Sequence, residues 1–243
     1  MDLKKLQKNW NKFGKDDPLW AILTDPSKRH GKWSLDEFFY TGTQEILSTM
    51  NYVESLNIQL SKKRALDFGC GVGRLTQALA NHFDEVYGVD ISPSMIELAN
   101  TYNRYGNKCK YYLNERDDLA LFDDNFFDFI YTNITLQHIE PIYSKKYIKE
   151  FVRVLSQNGV LIFQLPSEDV SKIRSLIRNF LPSLLNVYRR LKFRSMAVME
   201  VHGIKKEEVL KLLDPLGVKV IDIQPDGNAG DSWIGFRYCV MKP

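Results

Sequence analysis

The feature that most constrains this chain is the run Ala65-Leu66-Asp67-Phe68-Gly69-Cys70-Gly71-Val72-Gly73-Arg74, followed by Glu85-Val86-Tyr87-Gly88-Val89-Asp90. An apolar run that ends in glycines at alternate positions spells a strand, a tight turn and the start of a helix. The second apolar run is another strand, and it ends in a carboxylate. Glycines at 69, 71 and 73 tolerate positive backbone dihedrals and let a ligand lie against bare main chain. The carboxylate of Asp90 follows about twenty residues on, where a strand-helix-strand unit reads a ribose diol with a bidentate acceptor. These residues point to a nucleoside cofactor. The plainer reading makes Gly69 to Gly73 a turn and Asp90 a helix cap, because Asp90-Ile91-Ser92-Pro93 has the form of a helix start.

The alternation continues along the chain. Its patterning predicts strand 65–68, helix 74–83, strand 85–89, helix 93–104, strands 109–113 and 127–132, helix 142–155, strand 159–165, helix 205–214, and strands 217–224 and 234–241. Strands that alternate with helices build a parallel sheet with right-handed crossovers. Only the turn-rich Pro225-Asp226-Gly227-Asn228-Ala229-Gly230-Asp231 separates the last two strands, and so short a connection favours an antiparallel hairpin.

With 243 residues, 44% hydrophobic and 26% charged, the chain is expected to form one α/β domain with a self-sufficient core. Within 1–243 it divides into a helical, aromatic-rich cap over 1–60, a core over 61–165, a helical insertion over 166–204, and a C-terminal helix and strand hairpin over 205–243. Cys70, Cys109 and Cys239 are too few and too scattered for a disulfide framework or a zinc cluster, so no metal is expected. No signal-like segment opens the sequence and no run of eighteen apolar residues occurs in it, which predicts a cytoplasmic protein that neither leaves the cell nor spans a membrane.

The acid in front of the glycines narrows the cofactor. Asp67 would repel phosphates and welcome a cation, unlike the pyrophosphate-binding fingerprint. The run Asp67-x-Gly69-x-Gly71-x-Gly73 resembles the first motif of class I S-adenosylmethionine-dependent methyltransferases of the small-molecule type, whose cofactor carries a sulfonium, an ammonium and no phosphate. The resemblance covers roughly residues 60 to 165 in register. Asp90 matches the family's ribose-binding acid, Asn125-Phe126-Phe127-Asp128-Phe129-Ile130 its fourth strand, and Arg153-Val154-Leu155-Ser156-Gln157-Asn158-Gly159-Val160-Leu161 the turn into its fifth. It implies a Rossmann-like, seven-stranded, mostly parallel sheet with an antiparallel last strand and helices on both faces. The cap then precedes the sheet and the insertion follows the fifth strand. S-adenosyl-L-methionine is the implied cofactor and methyl transfer the implied activity.

Carried over residue by residue, the resemblance lays the methionine portion of the cofactor on the backbone around Gly69, Cys70, Gly71 and Gly73, and places Arg74 in the same cofactor-binding set. It sets Asp67 near the ammonium, Asp90 on the ribose and Ile91 on the adenine face. An acid or amide after the third strand is implied at the adenine amino group, with Asn114, Asp117 and Asp118 as alternatives; a solvated acidic loop is the bland reading of each. After the fourth strand, Thr132-Asn133-Ile134-Thr135-Leu136-Gln137-His138-Ile139 comes to the carboxyl edge, which adds Asn133 to the cofactor set and makes His138 and Gln137 the candidate catalytic residues. An imidazole there either accepts a proton from a hydroxyl acceptor or is a structural group beneath the pocket. Few dedicated catalytic groups are needed, because the methyl is already activated by its sulfonium and the protein mainly aligns donor and acceptor.

For the acceptor side the sequence offers Phe39 and Tyr40, placed before a Thr41-Gly42 turn, as rings for the pocket, and His202 as a group folding over it. Trp10, Phe13 and Trp20 are expected only to pack the cap onto the sheet. Net charge is a modest +3, but Ser171 to Met199 holds seven basic residues and no acidic one. That segment is expected to be a lid with a solvated basic face. The alternative is a peripheral membrane contact through 171–199, which suits a lipid-linked acceptor. Nucleic acid is not expected as a partner, since no RNA-binding module accompanies the stripe. A non-enzymatic binding role is disfavoured by the intact motif. A small-molecule acceptor of natural-product, sugar or quinone-precursor type is therefore the expectation.

Overall fold

Each apolar run of the core becomes a strand whose side chains alternate between two helical layers. The computed structural model describes residues 2–170 and 199–243. Its strands are β1 (Arg64–Phe68), β2 (Glu85–Asp90), β3 (Cys109–Leu113), β4 (Phe127–Thr132), β5 (Leu155–Asp169), β6 (Lys219–Asp226) and β7 (Trp233–Met241). They form one seven-stranded sheet in the order β3-β2-β1-β4-β5-β7-β6. The first five are mutually parallel, and β7 inserts antiparallel between β5 and β6. The fold class expected from the sequence is thus the one observed.

The helices are α1 (Leu3–Asp16), α2 (Pro18–Ile22), α3 (Leu35–Ser55), α4 (Arg74–Leu79), α5 (Pro93–Tyr102), α6 (Pro141–Val154) and α7 (Lys206–Leu213). On one face Leu66, Phe68, Ile130, Leu161 and Phe163 pack with Tyr147, Ile148 and Phe151 of α6 and with Val209 and Leu213 of α7. Their neighbours Ala65, Phe129, Tyr131, Val160 and Ile162 point the other way, onto Ile46, Met50 and Val53 of α3 and onto α4. The period of two along each strand thereby fixes which helix layer it meets.

Two expectations about element limits are corrected. Helix α4 stops at Leu79 rather than 83, and β5 runs to Asp169 rather than 165 because Glu168 and Asp169 still pair with Ile234 and Trp233 of β7. The insertion therefore leaves the sheet later than the sequence suggests. Its lid, membrane and nucleic-acid readings fall on 171–198, outside the described residues.

The cap is also built differently. Thr41 and Gly42 were read as a turn, yet α3 runs unbroken through them, opened by Ser34, whose hydroxyl accepts from the Glu37 amide. Gly42 serves packing instead: a Cβ there would stand 2.5 Å from the Arg74 carbonyl oxygen of α4. The glycine is the condition for the two helices to touch.

Candidate functional site

The glycine turn closes onto the end of β2. Amides of Gly69 and Cys70 both donate to the Val89 carbonyl, at 2.8 and 3.0 Å. Gly69 and Gly71 have φ of +79° and +53°, conformations that side chains rarely adopt. A Cβ at Gly69 would strike the Thr135 side chain, and one at Gly71 would lie 2.6 Å from Cδ1 of Ile22. The bare main chain thus has walls on both sides.

Asp90 is tied down by the same turn. The Gly71 amide donates to its Oδ2 at 2.9 Å and the Ser92 amide to its Oδ1 at 2.8 Å. Ser92 is the cap of α5, so the cap reading and the ligand reading of this segment are compatible: the serine caps and the aspartate is freed for the cleft. Burial pushes the Asp90 pKa up to about 6, against the three backbone amides that hold it down.

Around these groups lies a cavity at the carboxyl edge of β1, β2 and β4, reached by Gly69, Cys70, Gly71, Arg74, Asp90, Ile91, Asn114, Asn133 and His138. Nine expected residues meet there. Several others do not. Asp67 is 1% exposed, stands behind the turn, and accepts from the Thr76 hydroxyl at 2.6 Å instead of facing the cavity. Burial pushes its pKa up to about 7, so its charge is itself costly there. Gly73 faces the Tyr111 ring. Of the three alternatives after β3 only Asn114 reaches the cavity, held by its amide donating to the Asp118 carbonyl at 2.8 Å. Asp117 pairs with Lys146, and Asp118 takes a bidentate bond from Arg116 at 2.9 Å, so both are spent on the surface.

The loop after β4 carries backbone strain. Ile134 lines the cavity with φ of +58°, a conformation costly for a β-branched residue and persistent only where the surroundings enforce it. Behind it, His138 is fixed through its Nδ1–H, which donates to the Glu200 carbonyl at 2.7 Å. Its Nε2 lies 3.3 Å from the Gln137 amide, whose oxygen accepts from Gln164 at 3.3 Å. Gln137 therefore stands behind the histidine and not in the cavity wall. Burial pushes the His138 pKa down to about 4, which keeps the imidazole neutral near pH 7 and makes it a weak base.

On the acceptor side the expectation is reversed. Tyr40 is 62% exposed and Phe39 is buried against Phe38 and Tyr102, because the unbroken helix α3 turns one ring outward and the other into the cap core. His202 docks its backbone amide on the Gln137 carbonyl at 2.7 Å and lies outside the cavity wall. The wall comes instead from Leu6 and Trp10 of α1 and from Ala21 and Ile22 of α2. Trp10, read from sequence as packing, meets the His138 ring edge-on at 5.3 Å.

Glu45 of α3 was missed altogether. Its Oε2 accepts from Arg74 at 2.7 Å, and its Oε1 accepts from the Tyr131 hydroxyl at 3.0 Å and from the Asn133 amide at 2.7 Å. No local motif marks it; its partners converge from three elements.

Residues 66–163 match the family described as Methyltransferase domain. A ubiquinone biosynthesis O-methyltransferase of Coxiella burnetii is 32% identical over 114 residues, 47% of this chain and 47% of that protein. Phosphoethanolamine N-methyltransferase 3 of Arabidopsis thaliana is 33% identical over 103 residues, 42% of this chain and 21% of that protein. The chain thus spans less than half the length of these curated relatives. Among solved structures, magnesium protoporphyrin IX methyltransferase of Synechocystis with bound SAH aligns over 100% of both chains, with a TM-score of 0.68 at 17% identity, a likeness of fold.

Proposed function

We propose that this chain is a class I S-adenosylmethionine-dependent methyltransferase and that it moves the methyl group of S-adenosyl-L-methionine to a small acceptor whose reacting part is apolar and uncharged. One observation carries the reading: Gly69, Gly71 and Asp90 open onto a single cavity whose wall also includes the apolar Leu6, Trp10, Ile22, Met95, Ile134 and Ile139. The residues fit the cofactor. Two glycines leave the room a side chain would fill, and Asp90, with each oxygen already oriented by one backbone amide, presents the acceptor pair that a ribose diol requires.

When bound, the cofactor supplies a methyl group on a sulfonium. The chain has then to orient and to exclude water. Trp10 and Ile22 close the cavity from the cap side, and Trp10 adds a ring face attractive to a cation. His138, neutral and tied to Glu200, is suited to orient a donor group of the acceptor rather than to carry away its proton, and Gln137 holds the ring in place. An apolar acceptor with an uncharged hydroxyl, such as a phenol, fits such a site, its O–H turned to the neutral imidazole and its ring against the apolar wall. The basic charge of 171–198 takes no part in this reading.

Calorimetry of the full chain with S-adenosylhomocysteine tests the first half; the absence of heat overturns it. Cofactor consumption measured against phenols, quinone precursors, carboxylic acids, amines and sugar nucleotides tests the second. Turnover confined to amines or to phosphorylated acceptors contradicts the acceptor class. Binding of the chain to anionic vesicles at physiological salt would move the acceptor to a membrane surface instead.

A further inference from the structure

Among the described residues, five other than glycine have a positive φ. Asn57, Asn125, Asn158 and His30 are types that visit this region, and none of them lies in the cavity wall. Ile134, at +58°, is β-branched and does line the cavity. Such a conformation is unfavourable for a residue with a branched Cβ, so it lasts only where the neighbours on both sides leave no alternative.

Those neighbours are fixed. On the C-terminal side the Thr135 carbonyl accepts from the His138 amide at 3.0 Å, and the Thr135 hydroxyl donates to the Asn133 carbonyl at 3.1 Å. On the N-terminal side Asn133 is gripped by its side chain. Its Nδ2 donates to Glu45 of α3 at 2.7 Å, a bond strengthened by the charge of the carboxylate, and its Oδ1 accepts from Nδ2 of Asn228 at 3.2 Å. Asn228 lies 95 residues further on, exposed in the connection between β6 and β7, where its backbone amide and its Nδ2 both donate to Asp226 at 2.9 and 3.0 Å. The cap helix and the C-terminal hairpin thus hold one amide between them.

The loop they hold abuts the glycine turn, since a Cβ at Gly69 would stand 2.2 Å from the Thr135 side chain. Relaxation of Ile134 to a negative φ would rotate the flanking peptide groups and shift both Ile134 and Thr135 in the cavity wall. We propose that Asn133, gripped by Glu45 and Asn228, is a positioning residue that keeps Ile134 in its left-handed conformation, so that the C-terminal hairpin shapes, through Asn228, a cofactor cavity it does not itself line. The proposal rests on the cofactor reading above and assigns no ligand contact to Asn228.

The test is calorimetry of the full chain with S-adenosylhomocysteine in two backgrounds, the natural one and Ile134→Asn, in which residue 134 takes the left-handed region at little cost. In the natural background Asn133→Leu should weaken binding by about tenfold and Asn228→Ala by about threefold. In the Ile134→Asn background each loss should shrink to less than about twofold, because the grip no longer works against strain. Asn228→Ala alters an exposed side chain outside the cavity wall, and it decides the matter if Asn133→Leu does not fold. Losses of the same size in both backgrounds overturn the proposal, because a direct ligand contact of Asn133 or plain support of the fold does not depend on residue 134. Unchanged affinity in a folded Asn228→Ala variant overturns it as well. Wild type that binds no S-adenosylhomocysteine overturns the cofactor reading itself.

Discussion

At Asp90 the ligand reading and the titration meet in one carboxyl group. Its proton is held more tightly in the fold than in water, with a pKa near 6, because burial disfavours the charged form. Ribose hydroxyls and a cationic ligand favour the ionised form, so cofactor affinity should be flat above about pH 6 and should fall below it, by up to about tenfold per unit. Calorimetry across that range reads the effect. Asp90→Asn should abolish the slope and weaken binding by about 1 to 3 kcal/mol, since ribose hydroxyls would lose a charged acceptor. His138 adds no limb near its ordinary pKa, because burial has moved it down to about 4. A slope centred near pH 6.5 that disappears in His138→Asn would show that the imidazole, not the carboxylate, controls binding.

Among the elements, α3 and α1 decide the shape of the cavity. Helix α3 reaches α4 only because Gly42 lacks a side chain: a Cβ would sit 2.5 Å from the Arg74 carbonyl oxygen. Alanine at an exposed helical glycine normally stabilises by about 1 kcal/mol. Here Gly42→Ala should instead cost about 1 to 3 kcal/mol through overpacking, measured by denaturant unfolding. A more stable variant would contradict the close approach. Helix α1 supplies Trp10 and α3 does not supply Tyr40, so Trp10→Ala should lower turnover while Tyr40→Ala leaves it unchanged. Equal losses in the two variants would restore the pocket role that the sequence suggested for Tyr40. That misreading has a simple origin. A Thr-Gly pair signals a turn in isolation, and only the partner helix shows that the glycine is there for contact.

For the whole molecule, the buried carboxyls set a pH trend in stability. Asp67 and Asp90 have folded pKa values of about 7 and about 6, both above the ordinary 3.8. A raised pKa means that the fold binds the proton more tightly than the unfolded chain does. Their favourable contribution is therefore complete below the unfolded value and is lost as pH rises through about 6 and then about 7. His138 acts in the opposite sense, favouring the fold above 6.5 and losing that contribution as pH falls toward about 4. The apo protein is thus expected to lose stability between about pH 4 and pH 7 on account of Asp67, and Asp67→Asn should flatten that decline in thermal unfolding. An unaltered decline in the variant would show that Asp67 is already ionised in the fold.

The sequence by itself determined the sheet, its mostly parallel sense, the closing hairpin and the position of the glycine turn relative to Asp90, because these follow from period-two patterning and from short-range spacing. Of the cofactor set it also brought Gly69, Cys70, Gly71, Arg74, Asp90, Ile91, Asn114 and Asn133 to one cavity. What it left open was every question of direction. Asp67 turning behind the loop, Asp117 and Asp118 bonding at the surface, and Tyr40 facing solvent all depend on which side of an element meets a distant partner. Glu45 and Trp10 lie at least 20 residues before the motif they serve and acquire their roles only when α1 and α3 dock against the carboxyl edge. Local spacing is encoded along the chain, whereas convergence of side chains from separate elements arises only from packing, and the cap side of this cavity is made by packing.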